Sequence, residues 1–408
     1  MNKYADLRGV LFSIKNIPFE VNEILISKNL PRVLRGLHRS PYRKRVIVLK
    51  GKIYDFFWNP ETGEKTEITL NEGDYIDVPS GCAHGFYTYE KSNVLYLLEG
   101  KYDANIDTTI FWKDSTTGLD LNFPQDSITI SNKDSSAFYY NSYDYYVLGA
   151  KGYLGANCVS ILKKQGCTVY ESNLRLNDIN SIKDEIMRSR AKYVICAAGI
   201  SGKPTIEWCE TNETETYETN YLGVVDLIRL TKELSLHLTI FGSGLIYSGE
   251  KDIYNETDTP NLTSKVYCKW RIQLEQHISL YNHVLYLRII YPITLDGHPK
   301  CFMTKMKSRA QNVHPIKVSI TFVPELFCKI KDLCNEKITG IFNFVNTHTI
   351  LLTDLLGLYS KYSQKIDIII NSASDGKGGY ELCNNKLSSV VSVSNIKDIL
   401  TQYFNNLK

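Results

Sequence analysis

Tyr145-Tyr146-Val147-Leu148-Gly149-Ala150-Lys151-Gly152-Tyr153-Leu154-Gly155 decides how the larger part of this chain folds. Four apolar or aromatic residues predict a short buried strand, glycines follow at every third position, and the run over 154–165 continues as a helix. Strand, glycine turn and helix in that order make a dinucleotide-binding turn. Gly149 permits the tight turn, Gly152 the close approach of a pyrophosphate to backbone, and Gly155 the packing of the helix, whose N-terminus faces the phosphates. Glycines so spaced are a weak signal alone; the flanking strand and helix strengthen it.

Downstream the alternation continues, with a strand at Thr168-Val169-Tyr170, a helix over 179–190 and a strand over 193–197. That order predicts a doubly wound parallel sheet with its ligand at the C-terminal strand ends. Cys196-Ala197-Ala198-Gly199 provides a small-residue floor for the cofactor, Ala198 within it. Ser243 follows the strand Leu238-Thr239-Ile240-Phe241, and Tyr267 precedes a helical run. Carbonyl reduction needs such a pair: Tyr267 to protonate the incipient alkoxide, Ser243 to hold the carbonyl oxygen, and a nearby cation to lower the tyrosine pKa and bind the ribose. A single tyrosine among 28 is more often packing, and the glycine turn in the same domain is what tips the balance. Glu171 would hold a ribose 2′-hydroxyl and favour NADH, whereas Arg175 would pair with a 2′-phosphate and favour NADPH.

Ahead of this lies a different pattern. Strand-like runs over 45–49, 52–58, 66–70 and 93–98 are separated by Lys50-Gly51, Asn59-Pro60-Glu61-Thr62-Gly63, Asn71-Glu72-Gly73-Asp74 and Pro79-Ser80-Gly81. Short strands at close, regular spacing predict an all-β double-sheet jelly roll or barrel. Inside it stand Arg35-Gly36-Leu37-His38, Lys44, His84, Tyr96 and Asp134. Epimerising a carbon beside a ketone needs a base on one face, an acid on the other and a donor for the enolate oxygen. His38 fits the base, Tyr96 the acid and Lys44 the enolate stabiliser, with Asp134 to fix the tautomer of His38 and raise its basicity. A lone histidine is more often structural, so the set rather than His38 carries the reading. No H-x-H and no downstream His and Glu at ligand spacing accompany it, so no metal is expected.

The chain has 408 residues, enough for two or three domains, and its balance of 43% hydrophobic to 22% charged residues is that of a globular protein. A net charge of +3, evenly spread, speaks against a nucleic-acid partner. The N-terminus lacks an apolar secretory core and no run is long enough to span a bilayer, so a cytoplasmic protein without a membrane partner is expected. Ten cysteines without CxxC spacing read as reduced, packed thiols. The aperiodic stretch near 133–142 reads as a connection, giving a jelly-roll domain over 1–135, a linker over 136–143 and a dinucleotide-binding domain over 144–408.

Residues 6–135 resemble the nucleotide-linked 4-keto-6-deoxyhexose 3,5-epimerases, which are cupins. The resemblance is carried by Asp6-Leu7-Arg8-Gly9, Val33-Leu34-Arg35-Gly36-Leu37-His38, Lys44, Tyr54-Asp55, Val78-Pro79-Ser80-Gly81-Cys82-Ala83-His84-Gly85-Phe86, Leu95-Tyr96 and Ile130-Ser131-Asn132-Lys133-Asp134. It implies His38 as base on Asp134, Tyr96 as acid, Lys44 and Arg35 at the ketone and diphosphate, and His84 as a substrate contact. Glu23, Leu25 and Asn59 depart from the family and are expected to alter the sugar pocket. The chain from 145 to about 350 is similar to extended short-chain dehydrogenase/reductases, most of all to the reductase part of UDP-rhamnose synthesis. Here the carriers include Arg175-Leu176-Asn177-Asp178, Gly202-Lys203-Pro204, Ile206-Glu207-Trp208-Cys209-Glu210, Thr219-Asn220 and Phe302-Met303-Thr304-Lys305. The resemblance implies substrate contacts at Asn220 and Lys305, a cofactor contact at Asp178, and NADPH as cofactor.

Two departures matter. The family's YxxxK reads Tyr267-Cys268-Lys269-Trp270-Arg271, so Arg271 supplies the charge and the ribose donors but cannot shuttle a proton, while Lys269 would face away. Relatives that epimerise on this domain keep a cysteine where Leu245 stands, and an apolar side chain transfers no proton. Together the resemblances imply a homodimer through the cupin that acts on a UDP-4-keto-6-deoxyhexose, first as 3- or 3,5-epimerase and then as 4-keto-reductase. Its product would be UDP-L-rhamnose or the 2-acetamido analogue. Two other readings stay open: a reductase with a non-catalytic cupin, and a cupin 3,4-ketoisomerase joined to a reductase.

Overall fold

The computed structural model describes residues 2–6, 9–103, 108–202, 205–294, 296–307, 313–362 and 379–405; Leu7, Arg8, Lys203 and Pro204 of the motifs above lie outside them. The chain packs into two units, Met1–Ser142 with Met187–Arg190, and Tyr143–Ile186 with Ala191–Lys408. No helix among the described residues is long and apolar enough to cross a membrane.

After an antiparallel pair of strands, Asn2–Asp6 with Gly9–Ser13, the first unit carries β1 (Glu23–Asn29), β2 (Val33–Arg39), β3 (Lys44–Lys50), β4 (Lys52–Trp58), β5 (Lys65–Asn71), β6 (Tyr75–Val78), β7 (Ala83–Thr88), β8 (Ser92–Leu98), β9 (Thr108–Ile110) and β10 (Thr129–Ile130). They form two sheets, β1-β8-β3-β6 and β9-β2-β7-β4-β5, with β10 parallel to β2, as in the expected cupin jelly roll. Val46, Val48, Ile53, Val78, Phe86 and Val94 bury one core between them, and Leu34, Leu37, Tyr54, Phe56, Trp58 and Tyr87 another. The run over 136–142 packs back on this unit, the ring of Tyr140 meeting Trp58 edge-on.

β2 breaks the two-residue period of a strand. In its pairing with β7, Arg35 faces Phe86 but His38 faces His84, so three steps on β2 match two on β7. Such a bulge shifts the side-chain alternation by one. Leu34 and Leu37 therefore share one buried core, and Arg35 and His38 both line the cavity on the other face.

The second unit carries β11 (Tyr145–Leu148), β12 (Val169–Ser172), β13 (Tyr193–Cys196), β14 (His237–Ser243), β15 (Val284–Ile289) and β16 (Gly340–Asn343) in one parallel sheet, ordered β12-β11-β13-β14-β15-β16. Among its helices are α1 (Tyr153–Lys164), α2 (Ile179–Ser189), α3 (Gly223–Glu233) and α4 (Val266–Ile278). Apolar side chains fill both faces of the sheet, as a strand buried on both sides requires. The strand order reverses between β11 and β13, and a ligand binds at the C-terminal ends of strands at such a switch point. The glycine turn after β11 and the Ala197-Ala198-Gly199 floor after β13 meet there.

Candidate functional site

In the first unit the site starts from Gly36. β10 runs parallel to β2 and leads into a single helical turn, Asn132–Ser135, capped by Ser131, whose Oγ accepts from the Asp134 N–H at 3.1 Å. That turn lays Asp134 against Gly36. A Cβ on Gly36 would come within 3.1 Å of both Asp134 Cβ and Cγ, and the Gly36 N–H donates to Asp134 Oδ2 at 3.1 Å. The other carboxylate oxygen, Oδ1, lies 2.6 Å from His38 Nε2. Burial alone would raise the Asp134 carboxyl, but hydrogen bonds from His38, the Gly36 N–H and Ser131 outweigh it and hold it below its ordinary value. A carboxylate only accepts, so Nε2 carries the proton and Nδ1 keeps the lone pair of a base. The His38 side chain is 27% exposed, open to a substrate, while Asp134 behind it is buried.

The facing sheet carries Tyr96 and Lys44. In the β8–β3 register Leu98 pairs with Lys44, which places Lys44 next to Tyr96, two positions away on the same face of β8. Burial pushes the Tyr96 phenol well above its usual value, with Arg35 opposing the shift, so Tyr96 carries its proton at neutral pH. Lys44 is buried, its Nζ 3.3 Å from Ser40 Oγ. Arg35 is exposed and steadied by Asn29, whose Oδ1 accepts from Nε at 2.9 Å. Arg35, His38, Lys44, His84 and Tyr96 line one cavity of about 460 Å³, with Leu25 also in its wall. Of the three departures, Leu25 alone is in that wall; Asn59 instead closes its own turn by accepting from the Glu61 N–H at 2.9 Å.

Asp55 is a member that the motif reading left without a role. His84 Nε2 lies 2.9 Å from Asp55 Oδ2 with both side chains buried, a second histidine–carboxylate pair beside the first. Burial lowers the His84 pKa despite Asp55, so His84 is the neutral donor to that carboxylate. The signal in the sequence was a carboxylate in the middle of the apolar strand Ile53-Tyr54-Asp55-Phe56-Phe57, where only a paired charge is tolerated.

In the second unit the glycine turn is closed by its own backbone. Gly149 has φ +80°, and a Cβ there would fall 2.6 Å from Ala198 N; one on Gly155 would fall 2.1 Å from Gly149 O. Gly152 caps α1. Backbone N–H groups, a helix N-terminus and the bare floor beside Ala198 form a cradle that fits a dinucleotide pyrophosphate.

Ser243 ends β14, and its Oγ accepts from the Leu245 N–H at 3.1 Å. Leu245 O in turn accepts from Cys268 Sγ at 3.1 Å, which ties this strand end to the first turn of α4, where buried Tyr267 sits. One turn on, the guanidinium of Arg271 lies 5.5 Å from the Tyr267 ring centre and donates through Nη2 to Asn220 Oδ1 at 3.4 Å. Arg271 is only 5% exposed, yet its Nε and Nη1 have no hydrogen-bond partner among the described residues. The next carboxylate on the helix, Glu275, is held by Arg288 at 2.6 and 2.9 Å. The orphaned donors fit the hydroxyls of a ribose entering over Gly199. Lys269 points away to Glu213, at 3.0 Å, as helical spacing requires.

The remaining expected contacts stand as follows. Asn220 is fully buried and spends both ends of its amide on the chain, accepting from the Ile200 N–H at 2.8 Å and donating to Ile200 O at 2.7 Å. It holds the floor and Arg271 in place rather than presenting a free group. Asp178 caps α2 by accepting from the Ser181 N–H at 3.3 Å. Glu171 is paired with Lys163 at 2.5 Å, and Arg175 is exposed beyond the end of β12. Lys305 is exposed on the short helix Phe302–Lys307.

The family model of dTDP-4-dehydrorhamnose 3,5-epimerase matches residues 8–141, and that of the RmlD substrate binding domain matches residues 144–320. A bifunctional dTDP-4-dehydrorhamnose 3,5-epimerase/dTDP-4-dehydrorhamnose reductase of Arabidopsis thaliana is 30% identical over 230 residues, covering 54% of this chain and 76% of the relative. Among solved structures, the L780 UDP-rhamnose synthase of Acanthamoeba polyphaga mimivirus aligns with a TM-score of 0.59 at 24% identity, over 65% of this chain and 99% of that one. A Bacillus anthracis dTDP-4-dehydrorhamnose reductase, solved in complex with NADP, aligns with a TM-score of 0.56 at 16% identity, over 65% and 99%. At these identities the two structures bear on the fold of the second unit, which is theirs.

Proposed function

Since this chain belongs to the family of bifunctional epimerase/reductases of nucleotide-sugar rhamnose synthesis, we propose that it acts on a UDP-linked 4-keto-6-deoxyhexose, inverting C3, and C5 with it, before reducing C4. The product in this reading is UDP-L-rhamnose or its 2-acetamido analogue. The observation that carries it is the facing pair: His38 on its buried carboxylate on one wall of a cavity, protonated Tyr96 and Lys44 on the other.

The C4 ketone acidifies the neighbouring C–H bond. His38 removes the proton through Nδ1, and the ionised Asp134 stabilises the imidazolium that forms. Lys44 meets the enolate oxygen, and Tyr96 returns a proton from the opposite face, which inverts the centre. Arg35 takes the diphosphate. The two walls thus supply everything that inversion asks for. A binding module has no use for an acid facing a base, which is why a catalytic cupin is preferred to an inert one.

In the second unit, a bound nicotinamide dinucleotide would supply the hydride to C4. Gly149, Gly152 and Gly155 hold its pyrophosphate, Ala198 forms the floor, and Arg271 donates to its ribose. Ser243 orients the carbonyl oxygen and Tyr267 protonates it, the guanidinium of Arg271 favouring the phenolate left behind. NADPH is the preferred form. Glu171 is taken up by Lys163, while Arg175 stands exposed past the strand end where a 2′-phosphate would lie. Leu245 leaves this unit without an epimerase acid, so all proton exchange at carbon is assigned to the cupin. The division into an epimerase domain over 1–135 and a reductase domain over 144–408 belongs to the same reading, as does a cytoplasmic homodimer through the cupin. Edge strand β1, with Ile24 and Ile26 each 60% exposed, supports the dimer. Incubation with UDP-4-keto-6-deoxyglucose in D2O tests the function: deuterium enters C3 without cofactor, and NADPH is consumed only afterwards. A 3-keto product instead would identify a ketoisomerase.

A further inference from the structure

Gly199, in Cys196-Ala197-Ala198-Gly199, is not required by its backbone, which lies outside the left-handed region that favours glycine. What a side chain there would meet is specific. A Cβ on Gly199 would sit 2.6 Å from Arg271 Nη2 and 3.2 Å from Asn220 Oδ1. The guanidinium therefore occupies the volume of the missing side chain. It is held there by Asn220 Oδ1, which lies beside the missing Cβ and is itself fixed by Ile200, the residue after Gly199. Floor, amide and guanidinium form one closed set, and Nε and Nη1 of Arg271 are left over for a ligand.

We propose that Gly199 is a positioning residue for the carbonyl reduction: its absent side chain is the seat of the Arg271 guanidinium and sets where that cation stands beneath Tyr267 and the ribose. The proposal rests on the reductase reading given above. The guanidinium is the tip of a long side chain, so alanine at 199 is accommodated by moving that tip, with a shift of about 0.2 Å in Asn220 Oδ1, which stands 3.2 Å from the added Cβ. The movement needed, from 2.6 Å to the 3.4 Å of ordinary contact, is about 0.8 Å. A displacement of that order at a positioning group costs a rate of roughly 100-fold. A lysine at 271, shorter and without the fork, removes the 2.6 Å contact over Gly199 and leaves only the 3.2 Å approach of Asn220 Oδ1.

The test uses the full chain as wild type, Gly199→Ala, Arg271→Lys and the double variant. NADPH affinity is read by fluorescence titration, reduction of UDP-4-keto-6-deoxyglucose by kcat against pH, and C3 deuterium exchange as the activity of the other unit. Gly199→Ala should lower kcat by roughly 10- to 100-fold and weaken NADPH binding while leaving C3 exchange unchanged. Adding Arg271→Lys should recover most of both losses. Wild-type behaviour of Gly199→Ala overturns the proposal, as does a double variant no better than the single one. If both alanine variants lose the melting transition of the reductase unit, glycine is needed there whatever stands at 271, and the proposal fails as well. A wild-type chain that reduces no keto sugar sinks the reductase reading instead. The NADPH titrations then still decide whether a lysine at 271 relieves the alanine.

Discussion

Asp134→Asn is the substitution that most sharply divides a working His38–Asp134 dyad from a structural one. Both carboxylate oxygens of Asp134 accept: Oδ2 from the Gly36 N–H at 3.1 Å, and Oδ1 from His38 Nε2 at 2.6 Å. Asparagine offers one acceptor and one donor. The Gly36 N–H can only donate, so the amide oxygen must turn to it and the NH2 must face His38. Nε2 then has to accept, the ring proton moves to Nδ1, and the nitrogen free to act as base is blocked. The charge that stabilises the imidazolium is lost at the same stroke. General base catalysis contributes roughly 100- to 10,000-fold, so C3–H exchange should fall by that factor, about 3–5 kcal/mol in the barrier. Folding should suffer less, by about 1–3 kcal/mol, the usual cost of a weakened buried hydrogen bond. The assay is mass-spectrometric deuterium uptake at C3, with NADPH oxidation on already epimerised sugar as the control from the other unit. Exchange within about threefold of wild type in Asp134→Asn would refute the tautomer argument and the dyad with it.

Other expectations follow from the same structure. Gly155→Ala drives a Cβ onto the Gly149 carbonyl oxygen, 2.1 Å away; NADPH binding should be lost in calorimetric titration while C3 exchange persists. Tyr267→Phe should lower kcat for reduction by roughly 100-fold or more with NADPH affinity nearly unchanged, and a change confined to KM would remove Tyr267 as the proton donor. Acidification should destabilise the cupin through two groups. Asp134 is depressed in the fold, so its contribution is present above the ordinary carboxylate value and lost as pH falls through its folded value. His84 is depressed by burial, so its contribution is complete above about 6.5 and likewise lost on acidification. Melting curves taken from pH 8 down through the carboxylate range to about pH 2 should fall toward acid, and His84→Gln should flatten the upper part of that slope; a rising curve would contradict both signs.

The sheets of both units were legible because alternation, turn residues and the glycine turn are local signals; the strand over 52–58 runs just as its sequence suggests. What local signals could not supply was the bulge in β2. A strict two-residue period puts Arg35 and His38 on opposite faces, and only pairing with a distant strand adds the extra step that brings both into one cavity. Asp55 was hidden for the same reason, since its partner His84 lies 29 residues away on another strand. In the second unit the resemblance implied ligand contacts at Asn220 and Asp178; in the structure Asn220 bonds both ends of its amide to Ile200, and Asp178 Oδ1 accepts at the start of α2. Polar residues near a site look alike in sequence whether they hold the ligand or hold the chain. Arg271 was visible, but its seat over Gly199 was not, because that contact spans 72 residues of chain.

In the proposed function the cupin performs the proton chemistry that the reductase unit, with Leu245, cannot. That assignment is tested most directly by one measurement: deuterium incorporation into UDP-4-keto-6-deoxyglucose in D2O, without cofactor, by wild type and His38→Ala. Uptake at C3 is expected from wild type and none from the variant, with the variant still binding NADPH as wild type does. Undiminished uptake by His38→Ala would place the epimerase elsewhere in the chain and contradict that assignment.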